Sequence, residues 1–293
     1  MDTNLKRIQK TREQNFPARI YIETTNICTQ SCTMCSRGTC KREEGFIKFD
    51  IVKQIIDEGT LYHNNWEVDL FKEGEPLLHH KIIDMIKYAA DRECITQIAT
   101  NGILLNTELS EKLIESGLTH LLISTLISNR EENLKLKLCD NFNLLYNNVK
   151  QLKEIRDSLG AKHPIIRIKT LDRYKPKDFA KVWQPFCDYI HVSKYHNWDG
   201  TIGKKTPIKN RYPCAYLWFC PAILWDGDVS PCCVDYRKKA IIGNIYDKSF
   251  YEIWNGKKLK EYRNIHLNDG GNIEPCDNCI RWSEFKRWTK AYY

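Results

Sequence analysis

The chain has 293 residues, 42% hydrophobic and 28% charged, enough for one large domain, or one domain with a small appendage, and unlike a disordered or fibrous composition. Its net charge of +8 is spread along the chain, with mild clusters in KRIQKTR near the start and KKTPIKNR at 204–211. Such a balance suits anionic small ligands or an ordinary solvated surface, and without an aromatic-interleaved basic stripe no nucleic-acid partner is expected. The start lacks an apolar signal core, and LTHLLISTLI (118–127), the longest apolar stretch, is too short for a bilayer and reads as a buried strand. A cytoplasmic protein with no membrane partner is therefore expected, and in a reducing compartment its thirteen cysteines point to metal binding rather than disulfides.

From residue 18 short β-rich runs alternate with amphipathic segments. ARIYIET (18–24) predicts a strand, and it leads directly into a cysteine loop. FDIVKQIIDEG (49–59) has helical spacing and ends at Gly59. WEVDLF (66–71) is a strand followed by the loop KEGEP and a helix near 79–92; ITQIAT (95–100) is a strand ending in TNG, with a helix near 107–117. THLLIST (119–125), a helix over 143–159, PIIRIKT (164–170), a helix over 176–184 and YIHVSK (189–194) complete the series. Six strands alternating with helices predict a mostly parallel α/β sheet with its functional loops at the carboxyl ends of the strands. Periodicity leaves open whether that sheet is flat or curved into part of a barrel.

Around residue 197 the character changes. HNWDGTIGKKTPIKNRYP reads as a connector, and beyond it Cys214, Cys220, Cys232, Cys233, Cys276 and Cys279 surround a hairpin signal, AILWDGDVSP, turning at Asp226-Gly227. A core over 1–200 and a small second domain over 205–293 are expected.

The first cysteine group is NICTQSCTMC, with Cys28, Cys32 and Cys35 spaced C-x3-C-x2-C. A structural zinc site wants four ligands. A cubane iron–sulfur cluster held by three thiolates instead leaves one iron open to a small molecule. Cys40 lies nearby and keeps a closed four-thiol site formally available.

CTQSCTMC after a strand, KEGEPLL after the second strand and ATNGILL after the third together resemble the signature of the radical S-adenosylmethionine (SAM) superfamily, over most of 18–195. The resemblance implies a partial (βα)6 parallel barrel with a small C-terminal cluster domain built from a β-hairpin and helix. It also implies that Cys28, Cys32 and Cys35 ligate a SAM-binding [4Fe-4S] cluster and that Met34 packs near the adenine. Gly74 and Glu75 would meet the amino group of the methionine moiety, Asn101 belongs to the third-strand motif, and Ser124 and Lys169 would face SAM from the ends of strands four and five. Glu73 stands where the family's motif has its first glycine, leaving the backbone there less free. Without the resemblance, Met34 would read as core, Gly74 and Gly102 as turn glycines, Asn101 as a helix-entry residue, Glu75 as a solvated carboxylate, and Ser124 and Lys169 as polar strand ends.

The C-terminal cysteines resemble the SPASM auxiliary-cluster domain in its abbreviated form, named twitch. That implies an auxiliary [4Fe-4S] cluster on Cys214, Cys232, Cys276 and Cys279, with a structural zinc as the rival. Cys94, Cys139, Cys187, Cys220 and Cys233 remain, mostly as small buried hydrophobes, with Cys220 and Cys233 as alternative ligands.

The resemblance implies reductive SAM cleavage to a 5′-deoxyadenosyl radical that abstracts hydrogen from a substrate carbon, with electrons from a flavodoxin- or ferredoxin-type donor. The pattern is closest to dehydrogenases and epimerases of sugars and aminocyclitols, giving a ketone or an epimer. Arg167, His191, Lys194, Tyr195, His196 and Trp198 are the polar groups expected at the substrate mouth. The alternatives are a peptide-modifying maturase, disfavoured by the roughly twenty residues before the first strand, and a zinc-stabilised binding protein.

Overall fold

The computed structural model describes residues 15–282 apart from 173, 175, 196, 199–212, 269 and 270. His196 and both basic clusters lie outside the described residues. Six strands run parallel in chain order: β1 (Arg19–Ile22), β2 (Glu67–Asp69), β3 (Ile95–Thr100), β4 (His120–Ile123), β5 (Ile165–Leu171) and β6 (Tyr189–Ser193). The helices between them are α1 (Phe49–Thr60), α2 (Ile82–Ala90), α3 (Thr107–Glu115), α4 (Arg130–Lys137), α5 (Phe142–Ser158) and α6 (Pro176–Trp183). The expected partial (βα)6 barrel is therefore the observed architecture.

The two faces of this sheet differ sharply, because successive strand residues point to opposite sides. Ile20, Ile22, Val68, Leu70, Ile98, Leu121, Ile123, Ile166 and Ile168 are buried in one continuous core. Helices supply its other half, as in α1, which buries Val52, Ile55, Ile56 and Gly59, and α2, which buries Ile82, Met85, Ile86 and Ala89. A side chain at Gly59 would collide with the ring of buried Trp66, so a glycine lets α1 settle on that indole. The alternate strand positions carry Arg19, Tyr21, Asp69, Gln97, His120, Arg167, Lys169 and His191. The barrel thus has an apolar outer face under helices and a polar concave face.

Helix α4 was not legible in the sequence. Its segment REENLKLK has no apolar stripe; it starts because Asn129 caps it, accepting the Glu132 amide at 2.9 Å.

The C-terminal region adds α7 (Tyr216–Phe219), β7 (Ala222–Ile223), β8 (Asp228–Ser230), β9 (Gly243–Asn244), α8 (Phe250–Trp254) and α9 (Lys257–Asn268). The hairpin forms around Asp226-Gly227, with Gly227 at φ +86°. Its first strand pairs in parallel with β1, so all nine strands among the described residues share one sheet, ordered β6-β5-β4-β3-β2-β1-β7-β8-β9. The same region also touches the far side of the barrel, where Asn197 after β6 donates to the Asn278 carbonyl at 2.9 Å. The concave face is bracketed from both edges.

Candidate active site

The loop after β1 carries Cys28, Cys32 and Cys35, all partly exposed. Its backbone is fixed by the Cys35 amide donating to the Cys32 carbonyl at 3.1 Å, and by Asn26, whose side chain bonds the Glu43 carbonyl and the Gly45 amide. Burial pushes the Cys28 thiol up, and the nearby Glu75 and Cys32 add to it. Burial likewise pushes Cys35 up to about 11, with Cys32 and Glu73 contributing. Thiols held neutral beside one another are costly to ionise alone; a bound iron cluster removes that cost by taking the thiolates as ligands. Cys32, Cys35 and Cys40 line one cavity of about 450 Å³ with Gln30, Arg42, Glu73 and Tyr236.

The KEGEP loop meets this loop at close range. Gly74 has φ +80°, and a Cβ there would lie 2.3 Å from the Thr25 carbonyl oxygen. Only glycine allows the two backbones to approach this closely. Glu75 is buried and not a solvated carboxylate. Its Oε1 accepts from Thr100 Oγ1 at 2.7 Å and the Leu77 amide at 3.1 Å, and its Oε2 accepts from the Asn101 amide at 2.8 Å. A carboxylate offers about four acceptor positions, so one remains, on Oε2. Asn101 directs Nδ2 to Thr29 Oγ1 at 3.0 Å and to Cys28 Sγ at 3.8 Å, tying the end of β3 to the cysteine loop.

Met34 lies on the cysteine loop, Ser124 directly after β4, Lys169 on β5, and Trp198 after β6. The Met34 carbonyl accepts the indole N–H of Trp198 at 3.2 Å. The Ser124 carbonyl accepts Lys137 Nζ at 2.9 Å, and Lys169 faces His191 across β5 and β6. Tyr195 donates its amide to Asp172. Lys137, on the unforeseen α4, is a residue that local sequence reading missed; it is 4% exposed and lies near Glu75.

A buried ion cluster also escaped the sequence. Arg42 grips Glu23 through both oxygens at 2.5 and 3.1 Å and reaches Glu73 at 3.3 Å, while Lys72 meets Glu73 at 2.6 Å. Burial raises Glu73 to about 7, against the pull of Lys72. Burial alone would raise Glu23 too, but Lys72 and Arg42 outweigh it and hold its carboxyl below the usual value.

In the C-terminal region Cys214 is buried; burial, Cys279 and Cys276 push its thiol well up. Cys233 is a free thiol beside Cys220 and Cys232, which pull its titration well below the usual thiol value. Two of the expected ligand sulfurs already accept backbone N–H groups at 3.4 Å, Cys232 from Val234 and Cys279 from Arg281. Amide donors to sulfur are what stabilises thiolate on iron. Among the described residues no three His, Cys, Asp or Glu side chains converge on one ion, which four thiols serving four separate irons do not require.

Comparison with known proteins decides the family. A model of the radical SAM superfamily matches residues 22–173, more than half of the chain, and a model of an iron–sulfur cluster-binding domain, SPASM, matches 214–280. The chain belongs to the radical SAM superfamily. The cofactors of these two regions are a SAM-binding [4Fe-4S] cluster, SAM itself and an auxiliary iron–sulfur cluster, in place of the structural zinc considered above.

A tungsten-containing aldehyde ferredoxin oxidoreductase cofactor-modifying protein of Pyrococcus furiosus is 24% identical, over 85% of this chain and 84% of its own. An S-adenosyl-L-methionine-dependent 2-deoxy-scyllo-inosamine dehydrogenase of Niallia circulans is 22% identical, over 89% and 91%. A PqqA peptide cyclase of Granulibacter bethesdensis is 28% identical but matches over only 37% of this chain and 29% of its own. Among solved structures, BtrN in complex with AdoMet and 2-DOIA superposes with a TM-score of 0.64 at 19% identity, covering 90% of this chain and 93% of that one. Streptococcus suis SuiB bound to precursor peptide SuiA gives 0.71 at 16%, over 95% and 73%. At these identities the superpositions speak to fold. No helix among the described residues is long and apolar enough to cross a membrane.

Proposed function

We propose that this radical SAM enzyme takes a hydrogen atom from a carbon of a sugar or aminocyclitol and yields a ketone, with Cys28, Cys32 and Cys35 holding the SAM-binding cluster and Cys214, Cys232, Cys276 and Cys279 the auxiliary one. The observation that carries the reading is the position of the polar concave face between two thiol groups. The first group borders its rim, and the second adjoins it at Arg281, whose backbone N–H donates to Cys279 Sγ while its guanidinium charge reaches His191. Bound there, the SAM cluster supplies the electron that generates the hydrogen-abstracting radical, and the second cluster offers a place for the electron that ketone formation releases.

The chain's own groups position and protect. Glu75, Thr100 and Asn101 fix the rim and present the remaining Oε2 acceptor to the SAM amino group, while Gly74 lets the cysteine loop close over it. The concave face offers hydroxyl-matching ring nitrogens in His120 and His191. Glu73, held near 7, is the carboxylate best matched to take a hydroxyl proton at neutral pH. A flavodoxin- or ferredoxin-type donor would supply the electrons. The dehydrogenase relative, similar over most of both chains, supports oxidation over epimerisation.

A second reading, modification of the cofactor of a metal-containing oxidoreductase, is supported by the Pyrococcus relative, which also matches over most of its length. A peptide substrate has less support, because the peptide cyclase relative matches over under a third of its own chain. Anaerobic incubation of reduced enzyme with SAM and panels of sugars, aminocyclitols and peptides tests this. Stoichiometric 5′-deoxyadenosine with a product two mass units lighter supports the proposal, and deoxyadenosine formed only with peptides overturns it.

A further inference from the structure

We infer that the substrate carries an anionic group, a phosphate or a carboxylate, received on the concave face by the guanidinium of Arg167. This rests on the sugar-oxidising reading above and narrows its substrate class.

The concave face carries several cationic side chains. Arg19, Arg167 and Lys169 project from β1 and β5, and Arg281 arrives from the C-terminal region to lie near His191. Among the described residues, the carboxylates of these strands are already taken. Asp69 pairs with Arg19 Nε and accepts Gln97 Nε2 at 3.1 Å, and Glu67 lies 3.5 Å from the same arginine. Arg167, by contrast, bonds the neutral carbonyl oxygen of Gln97, and among the described residues its buried Nε has no partner. The histidines add no compensating charge. Burial, with Lys169, Arg167 and Arg281 nearby, lowers His191 to about 4, and burial with Arg167 and His163 lowers His120 to about 4.

Arg167 is half-buried, its Nε lacks a partner, and its planar fork matches a phosphate or carboxylate through paired N–H donors. Arg167 precedes Lys169 by two residues on β5, so it stands about 7 Å below the rim residues expected to face SAM. The anion it would receive is therefore distinct from the carboxylate of SAM at the rim. A positively charged amine on the substrate would meet the same potential unfavourably.

The test is calorimetric titration of anaerobically reconstituted, SAM-saturated enzyme with glucose 6-phosphate, glucuronate, glucose and glucosamine. The expected result is binding of one or both anionic sugars at least tenfold tighter than glucose, with glucosamine weakest; whichever anion binds tells phosphate from carboxylate. Arg167→Gln should lose at least tenfold for the anionic sugar while SAM binding is unchanged, and Arg167→Lys should recover part of it. Glucose or glucosamine binding as tightly as the anions, failure of both anions to bind, or an anion affinity unchanged in Arg167→Gln overturns the inference. Conversion of a cationic aminocyclitol to its ketone would remove this inference and leave the proposed reaction standing. Tight anion binding without hydrogen abstraction from any sugar would do the reverse.

Discussion

The carboxylate of Glu75 accepts the backbone N–H of Asn101 at 2.8 Å, joining the loop after β2 to the end of β3 beneath the first cysteine group. Glu75→Gln turns one of its oxygens into an N–H donor facing an N–H or O–H that needs an acceptor. The expected cost is about 2 kcal/mol of stability, with SAM affinity lowered roughly tenfold. Thermal melts and equilibrium SAM binding check both. Thr100→Val, which removes one donor and leaves the others, should cost about 1 kcal/mol.

Gly74→Ala strains a φ of +80° and drives a methyl group to 2.3 Å from the Thr25 carbonyl oxygen. The cysteine loop must move away. Reconstituted protein is expected to lose much of its first cluster while keeping a native far-ultraviolet circular dichroism spectrum and its auxiliary cluster. Full iron content in this variant would contradict the close-approach account.

Glu73 is raised to about 7 by burial, and Lys72 and Arg42 stay within ion-pair reach of it. As a proton acceptor it works when ionised, so product formation should rise with pH through about 7. Glu73→Gln should flatten that limb and uncouple the reaction, leaving deoxyadenosine formation with less ketone. Its effect on stability has the opposite sign. A carboxyl whose folded pKa exceeds the unfolded one stabilises most below about 4.5, and that contribution fades as pH rises through 7.

His191 and His120 are both lowered to about 4, first by burial and then by neighbouring cations. Above about 6.5 they are neutral in both folded and unfolded states. Between 6.5 and 4 only the unfolded chain takes up the protons, so stability falls as pH falls through that window. Chemical denaturation at pH 7.5 and pH 5 should show a smaller difference for His191→Gln than for the wild type. An unchanged difference would place the acid sensitivity elsewhere.

Much of the fold is legible in short stretches because it is local. The β-branched runs RIYI, ITQIAT and IIRIKTL each became a strand, and GEP and TNG fell on the rim where strand order puts them. Helix α4 was not legible, since its charged segment has no apolar periodicity and depends on the Asn129 cap. Pairing of β7 with β1 rests on two residues of strand, Ala222 and Ile223, too few to carry a pattern. The Glu23–Arg42–Glu73–Lys72 cluster and the Arg19–Asp69–Gln97–Arg167 chain join residues far apart in sequence. Each member alone looks like a polar residue on a strand or loop.

The most direct test of a two-cluster radical SAM enzyme is the iron and sulfide content of anaerobically reconstituted protein, measured beside a Cys28→Ala, Cys32→Ala, Cys35→Ala triple variant. The account predicts about eight irons in the wild type and about four in the triple variant. Cys40→Ala should retain about eight, because the fourth iron of the first cluster is left for SAM. About four irons and one zinc in the wild type would contradict it, leaving the C-terminal thiols structural and the oxidation without an electron acceptor.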